Sequence, residues 1–182
     1  MIPAGFMAKK VRPAPEWLKA GAALDVYSVS NCLSEAFCDY SGHWKHNGYW
    51  LFDSPAAIHE VAQAESVDLS ECAVFYYEVH EQQFDERRKI REWFGPLDAL
   101  ETRVAVPEAR QLEGYDVVSV SGGNAPECSP LSCNGLASSI PVNRHCLLAS
   151  LDEAKDLLER DVFVNCEPGP YRVFAVFSCA AT

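Results

Sequence analysis

Residues Asp25 to Ser30, D-V-Y-S-V-S, alternate apolar and polar side chains and are rich in β-branched residues, the period of a half-buried strand. The alternation recurs at Asp116 to Ser121, D-V-V-S-V-S, and each run leads into a polar, cysteine-bearing loop. Beyond the loops, Asn47-Gly-Tyr-Trp-Leu-Phe-Asp-Ser54 matches Asn143-Arg-His-Cys-Leu-Leu-Ala-Ser150 without a gap, at a constant offset of 96 positions (143 − 47). A chain written twice is predicted to build one architectural unit twice.

In the first unit the pattern predicts a strand at 25–30, a short helix over 32–40 and a strand at Tyr49 to Phe52. A helix follows, with Ser54 as N-cap, Pro55 at its first position and Ile58, Val61 and Ala62 on one face, and a closing strand runs from Ala73 to Val79. In the second unit it predicts strands at 115–121, 146–148 and 171–177, a short helix near 135–139, and a helix opened by the capping box Ser150-Leu-Asp-Glu153. Leu151, Ala154, Leu157 and Leu158 form that helix's apolar stripe. Between the units, a helix over 85–93 precedes the Gly95-Pro96 break and a strand at 102–106 that Pro107 ends. The predicted fold is α+β (α/β-like): a single domain of two tandem β-α-β-α-β repeats with a mixed sheet and a pseudo-two-fold relation. Residues 1–20, with three prolines and scattered charge, are expected to form a flexible tail anchored at most by Trp17 and Leu18. The domain then spans 21–182, with repeat one at 24–80, a connecting segment at 81–113 and repeat two at 114–179.

A length of 182 residues, 48% of them hydrophobic and 23% charged, suits one folded domain with a real core. The longest apolar runs fall well short of the roughly 18 residues of a membrane-spanning helix. Lys9, Lys10 and Arg12 lead into prolines and not into an apolar stretch, so the reading expects no export signal and a cytoplasmic protein with mostly reduced thiols. The net charge of −11 is spread evenly, 5 basic and 10 acidic residues in positions 1–80 against 10 and 16 in 81–182. Such a surface repels phosphate backbones and anionic lipid, which argues against nucleic acid and membrane and is compatible with a basic protein partner. Oligomeric state is not legible.

Candidate chemistry gathers in the loops. A helix opening near Cys133 would favour its thiolate, with His145 as base, oriented by Asn134 or Glu127. The repeat opposes this, because His145 and Cys146 align with Tyr49 and Trp50 of an ordinary strand. Cys128, Cys133, Cys146 and Cys166 lack the short gap of a zinc knuckle, so neither a metal nor a cofactor is predicted, and Cys72 and Cys179 read as small buried hydrophobes. His43, Trp44 and His46 sit between glycines on a loop suited to recognition, or fold down onto the sheet edge. Tyr76, Glu78 and His80 share one face of a strand, as an acid/base row or as a solvated side. The chain contains no phosphate-cradling glycine loop, nucleophile elbow or H-E-x-x-H. The function expected from this balance is a small acidic protein-binding module, an inhibitor or immunity-type protein. The alternative is a cysteine-dependent enzyme, a hydrolase or transferase, using Cys133.

Overall fold

The computed structural model describes residues 1–33, 46–85, 93–94, 103–120 and 125–179. It is mixed α+β. Four long strands, β1 (Ile2–Lys10), β4 (Cys72–Phe84), β6 (Arg110–Ser119) and β7 (Tyr171–Cys179), form a sheet in the order β1-β4-β7-β6. All of its pairings are antiparallel, and the two residues of β5 (Trp93–Phe94) pair with the end of β4. A separate ribbon pairs β2 (Arg12–Pro13) with β3 (Asp25–Val26). The helices are α1 (Pro55–Ala64), the single turn α2 (Pro130–Cys133) and α3 (Leu151–Glu159). Among the described residues no helix is long and apolar enough to cross a membrane.

Three expectations are corrected. The sheet is antiparallel and not mixed: the long strand before each main helix is not hydrogen-bonded parallel to a neighbour, and the central pair β4 and β7 runs antiparallel. The supposed tail contains β1, whose Ala4, Phe6, Met7, Ala8 and Lys9 are all buried. Its small and flexible side chains hid an edge strand covered on both faces. The D-V-Y-S-V-S run does not stand where D-V-V-S-V-S stands, since Asp25 and Val26 belong to the two-stranded ribbon while Asp116 lies in the main sheet.

Trp93 lies in β5, so the helix expected over 85–93 does not reach it; positions 86–92 of that expectation fall outside the described residues, as do most of 32–40. No strand forms at 103–106, and the helix expected near 135–139 is a 3-10 turn, Leu136–Ser138. The segments 49–52 and 146–148, expected as strands, are tight turns with Trp50 and Cys146 at φ 59° and 60°. Each turn touches the main sheet through one bridge, Phe52 to Phe6 and Leu148 to Tyr115.

These turns are built alike. Asn47 Nδ2 donates to the Ala4 carbonyl (2.8 Å) while its Oδ1 accepts from the amides of Tyr49 and Leu51. Asn143 Nδ2 donates to the Glu113 carbonyl (2.6 Å) and its Oδ1 accepts from His145 and Leu147. Each asparagine thereby satisfies backbone groups at an edge where, among the described residues, the strand has no further strand neighbour. The turns press against Gly5 (φ +140°) and Gly114 (φ +152°), where a Cβ would lie 2.7 and 2.8 Å from the carbonyl oxygens of Phe52 and Leu148. Only glycine meets both the conformation and the close approach. Ser54 and Ser150 then cap α1 and α3 by accepting from Ala57 N and Glu153 N.

Strand register assigns the two faces of the sheet. Val117 and Val173, paired across β6 and β7, pack with Ala154, Leu157 and Leu158 of α3. The opposite face carries Met7, Lys9, Phe75, Tyr77, Asp116, Val118, Phe174 and Val176. The chain after β3 lies over this second face: the Tyr27 ring stands 4.9 Å from that of Phe75, and Val29 is buried in the same cluster. Burial of an apolar side chain is worth about 1.5–3 kcal/mol. Lys9 and Asp116 inside such a layer must therefore be compensated by specific partners.

Candidate functional site at a three-cysteine cluster

Lys9 and Asp116 are each about 1% exposed. Lys9 Nζ donates to the backbone carbonyls of Ser28 (2.5 Å) and Ser30. Asp116 Oδ2 accepts from Ser28 Oγ (2.6 Å) and Val29 N (3.1 Å), and Oδ1 accepts from Ser129 Oγ (2.5 Å). Burial pushes the Asp116 carboxyl above its ordinary range, against the pull of those donors and of the Lys9 charge. One strand residue thus fixes two distant chain segments, 28–30 and the turn at 129, over one face of the sheet.

Those two segments carry thiols. Cys32 follows Ser30 by two residues, and Cys128 precedes Ser129. Cys128 is further held by a bridge to β6, where Ser119 N donates to its carbonyl (2.8 Å). Ser129 is the N-cap position of α2, but its hydroxyl is turned to Asp116 instead of capping the helix. The single turn is closed by Cys133 N donating to Ser129 O (2.7 Å), which brings Cys133 back over Cys128. The Sγ atoms of Cys32, Cys128 and Cys133 all lie within 4.8 Å of one another. Cys32 Sγ is 3.2 Å from Cys128 Sγ and 3.5 Å from the Glu127 carbonyl oxygen.

The three thiols are not equivalent. Cys32 is exposed, whereas Cys128 and Cys133 are half-buried. A hydrogen bond from Cys133, helped by one from Cys128 and by the Lys9 charge, draws Cys32 down to about 6 in spite of burial and the Glu167 charge. The same bond raises Cys133, where burial and Cys128 act in the same direction, and burial chiefly raises Cys128. Negative charge in the cluster therefore collects on the exposed sulfur.

The expected pair Cys133 and His145 is not brought into contact. His145 Nδ1 lies 2.6 Å from Asp25 Oδ1, its Nε2 lies 3.5 Å from Glu113 Oε2, and its ring stacks on Tyr27 at 3.9 Å. Both nitrogens are thus engaged by carboxylates while the Cys133 thiol faces other thiols. Asn134, considered as an orienting group, donates to Glu167. Cys146 is buried and pushed up to about 12 by burial and then by the Asp116 charge. His43 and Trp44 lie outside the described residues. His46 stacks on Trp50 at 4.0 Å, with Nδ1 2.9 Å from the Asn47 carbonyl oxygen. Tyr76 OH donates to Glu78 Oε1 (3.3 Å), with Arg110 3.7 Å from that carboxylate. His80 Nδ1 accepts from Gln82 N within the stretch from Val79 to Gln83 where the β4–β7 register shifts, and burial lowers its pKa.

Sequence reasoning missed Cys32, Lys9 and Asp116. Lys9 meets carbonyls 19 and 21 residues away, Asp116 meets Ser28 88 residues away, and Cys32 meets Cys128 96 residues away. The one signal available was that two cysteine-bearing loops follow similar runs. No family model, curated protein or solved structure matches the chain.

Proposed function

We propose that this chain is a cysteine-dependent redox protein that exchanges thiols for a disulfide at the Cys32–Cys128–Cys133 cluster, with Cys32 as the attacking sulfur. The observation that carries the reading is the convergence of three sulfurs within 4.8 Å, the exposed one in 3.2 Å contact with a second. A lone structural cysteine has no use for such neighbours. The Cys32 thiolate forms a bond to one sulfur of a partner's disulfide, and the other partner sulfur leaves as a thiolate. Cys128, losing its proton to that leaving group, then attacks the Cys32 sulfur. The Cys32–Cys128 bond forms, the first partner sulfur departs and is protonated, and two electrons have passed from the chain to the partner. Cys133 donates to the Cys32 thiolate until it attacks. Recycling by a dithiol reductant fits a reducing compartment such as the cytoplasm.

Oxidised glutathione supplies the test. Peptide mass analysis is expected to find a Cys32–Cys128 disulfide in the native chain, and Cys128→Ser is expected to trap a mixed disulfide at Cys32. Modification of Cys72 or Cys166 as fast as Cys32 would overturn the reading.

The same reading takes the chain as two copies of one strand–turn–helix–strand unit, β1 to β4 and β6 to β7, about a pseudo-two-fold axis between β4 and β7. Support comes from the matched asparagine turns, glycines and capped helices. A second reading, an acidic module for a basic protein partner, is favoured by the net charge of −11 and by Trp50, 40% exposed and stacked on His46. Capture of a basic protein that survives Trp50→Ala unchanged would remove that support.

A further inference from the structure

We infer that Cys32, Cys128 and Cys133 in their reduced form bind a thiophilic divalent cation of the zinc type, leaving one coordination position for solvent or an added ligand. The inference concerns the same three thiols as the exchange reading and names the ligand that occupies them when no disulfide partner is present. Thiolates bound to zinc at about 2.3 Å in a tetrahedral array stand about 3.8 Å apart. The observed separations, 3.2 Å for Cys32 and Cys128 and none of the three above 4.8 Å, bracket that value. A donor set of sulfur alone selects soft or borderline cations and rejects magnesium and calcium, which take oxygen.

The scaffold exists before any ion arrives. Asp116 ties the approach to Cys32 through Ser28 and Val29, and the residue after Cys128 through Ser129. The β6 bridge fixes Cys128 and the α2 turn fixes Cys133, so the three sulfurs converge from segments already held to one strand. Exposure of Cys32 gives the ion a path in. Three protein ligands among the described residues leave the geometry open, as in sites where a metal holds an exchangeable group, whereas structural zinc sites close with four. Oxidation to a Cys32–Cys128 disulfide by a partner disulfide removes two of the three donors, so exchange and metal retention exclude one another.

The reduced full-length chain is titrated anaerobically with Co2+ and then with Zn2+ as competitor. An intense thiolate-to-cobalt charge-transfer band is expected, saturating at one equivalent and bleached by Zn2+. Cys32→Ser, Cys128→Ser and Cys133→Ser are each expected to weaken binding by more than the roughly 10- to 100-fold that loss of an outer-shell partner costs. Cys72→Ser and Cys166→Ser are expected to leave it unchanged. Thermal unfolding of each variant without metal separates a folding defect from a lost ligand, and the native chain alone decides the case if variants fail to fold. Absence of the band, or full binding by Cys133→Ser, overturns the inference. A Cys32–Cys128 disulfide formed by a chain that binds no Co2+ sinks the metal site and leaves the exchange reading standing. A three-thiolate band in a chain that forms no such disulfide supports the metal site and sinks the exchange reading.

Discussion

Along one edge of the sheet, Gly5 receives a turn held by Asn47, closed over Trp50 and followed by the Ser54 cap of α1; along the other, Gly114 receives a turn held by Asn143, closed over Cys146 and followed by the Ser150 cap of α3. The glycine contacts, the asparagine bonds to backbone groups and the serine caps agree. The side chains set into them do not. Two residues after the glycine stands Met7 in one half and Asp116 in the other; two residues after the asparagine stands Tyr49 or His145. Tyr49 lies under the buried Arg172 guanidinium at 5.9 Å, while His145 lies between Asp25 and Glu113. The glycine, asparagine and serine at each edge are thus what the backbone geometry of a turn demands. Where Asp116 stands, its carboxylate holds two polar segments through Ser28, Val29 and Ser129.

The sharpest way to break the comparison is to alter the frame on each side. Gly5→Ala and Gly114→Ala each place a Cβ within 2.8 Å of a carbonyl oxygen at a φ that side chains rarely adopt. Adding backbone strain to overpacking, each is expected to cost roughly 3–5 kcal/mol in urea unfolding. If either variant loses less than about 1 kcal/mol, the two turns are not doing the same job.

Next in size are the residues that differ inside the shared frame. Asp116→Ala removes the acceptor of three donors and the nearby countercharge of Lys9, for a loss of about 3 kcal/mol, and Met7→Ala loses a comparable roughly 2–5 kcal/mol by cavity formation. Stability will not tell them apart, but labelling of Cys32 by iodoacetamide should, slowing in Asp116→Ala alone. Acid separates them as well. Burial raises the Asp116 pKa, so folding favours its protonated form; that contribution is complete below the ordinary value of 3.8 and is lost as pH rises through the folded value. The gap in unfolding midpoint between the native chain and Asp116→Ala should therefore shrink as pH rises from acid to neutral, and a gap that widens contradicts the assignment.

How much of this was legible follows from what each element needs locally. The helices α1 and α3 were readable because Ser54-Pro55 and Ser150-x-x-Glu153 are self-contained signals, the cores of β4 and β7 because their apolar runs are long, and that of β6 because D-V-V-S-V-S alternates. The strand β1 was not, because Pro3, Gly5, Lys9 and Lys10 read as tail; the buried Lys9 is met by carbonyls 19 and 21 residues away. The asparagine turns read as strands because alternation over four residues cannot reveal a positive φ at Trp50 or Cys146. The thiol cluster was invisible as a cluster, since a sequence shows the five-residue step from Cys128 to Cys133 and hides the contact across 96 positions that brings in Cys32.

Within the turns, Asn47→Ala and Asn143→Ala each abolish one donated and two accepted hydrogen bonds to backbone groups, with an expected loss of about 2 kcal/mol apiece. Equal losses by urea titration would support the shared device. A markedly larger loss at Asn47, whose Nδ2 also reaches Asp53 Oδ1 at 3.0 Å, would show that the first turn leans on a contact the second lacks.

The smallest expected difference lies at the caps. Ser54→Ala and Ser150→Ala should each cost about 1 kcal/mol, since each removes one acceptor from an otherwise orphaned helix amide. Only α3 carries the reciprocal half of a capping box: Glu153 Oε2 reaches back to Ala149 N at 3.0 Å, and Asp152 and Glu153 place negative charge in the first turn, where α1 has none. Glu153→Gln keeps the reach and removes the charge, and Glu153→Ala removes both. Thermal unfolding of the two variants should differ by a few tenths of a kcal/mol if the back-bond matters beyond the helix dipole. If the two variants match, the second helix is held by its serine alone, and the two halves are more alike at their caps than their sequences suggest.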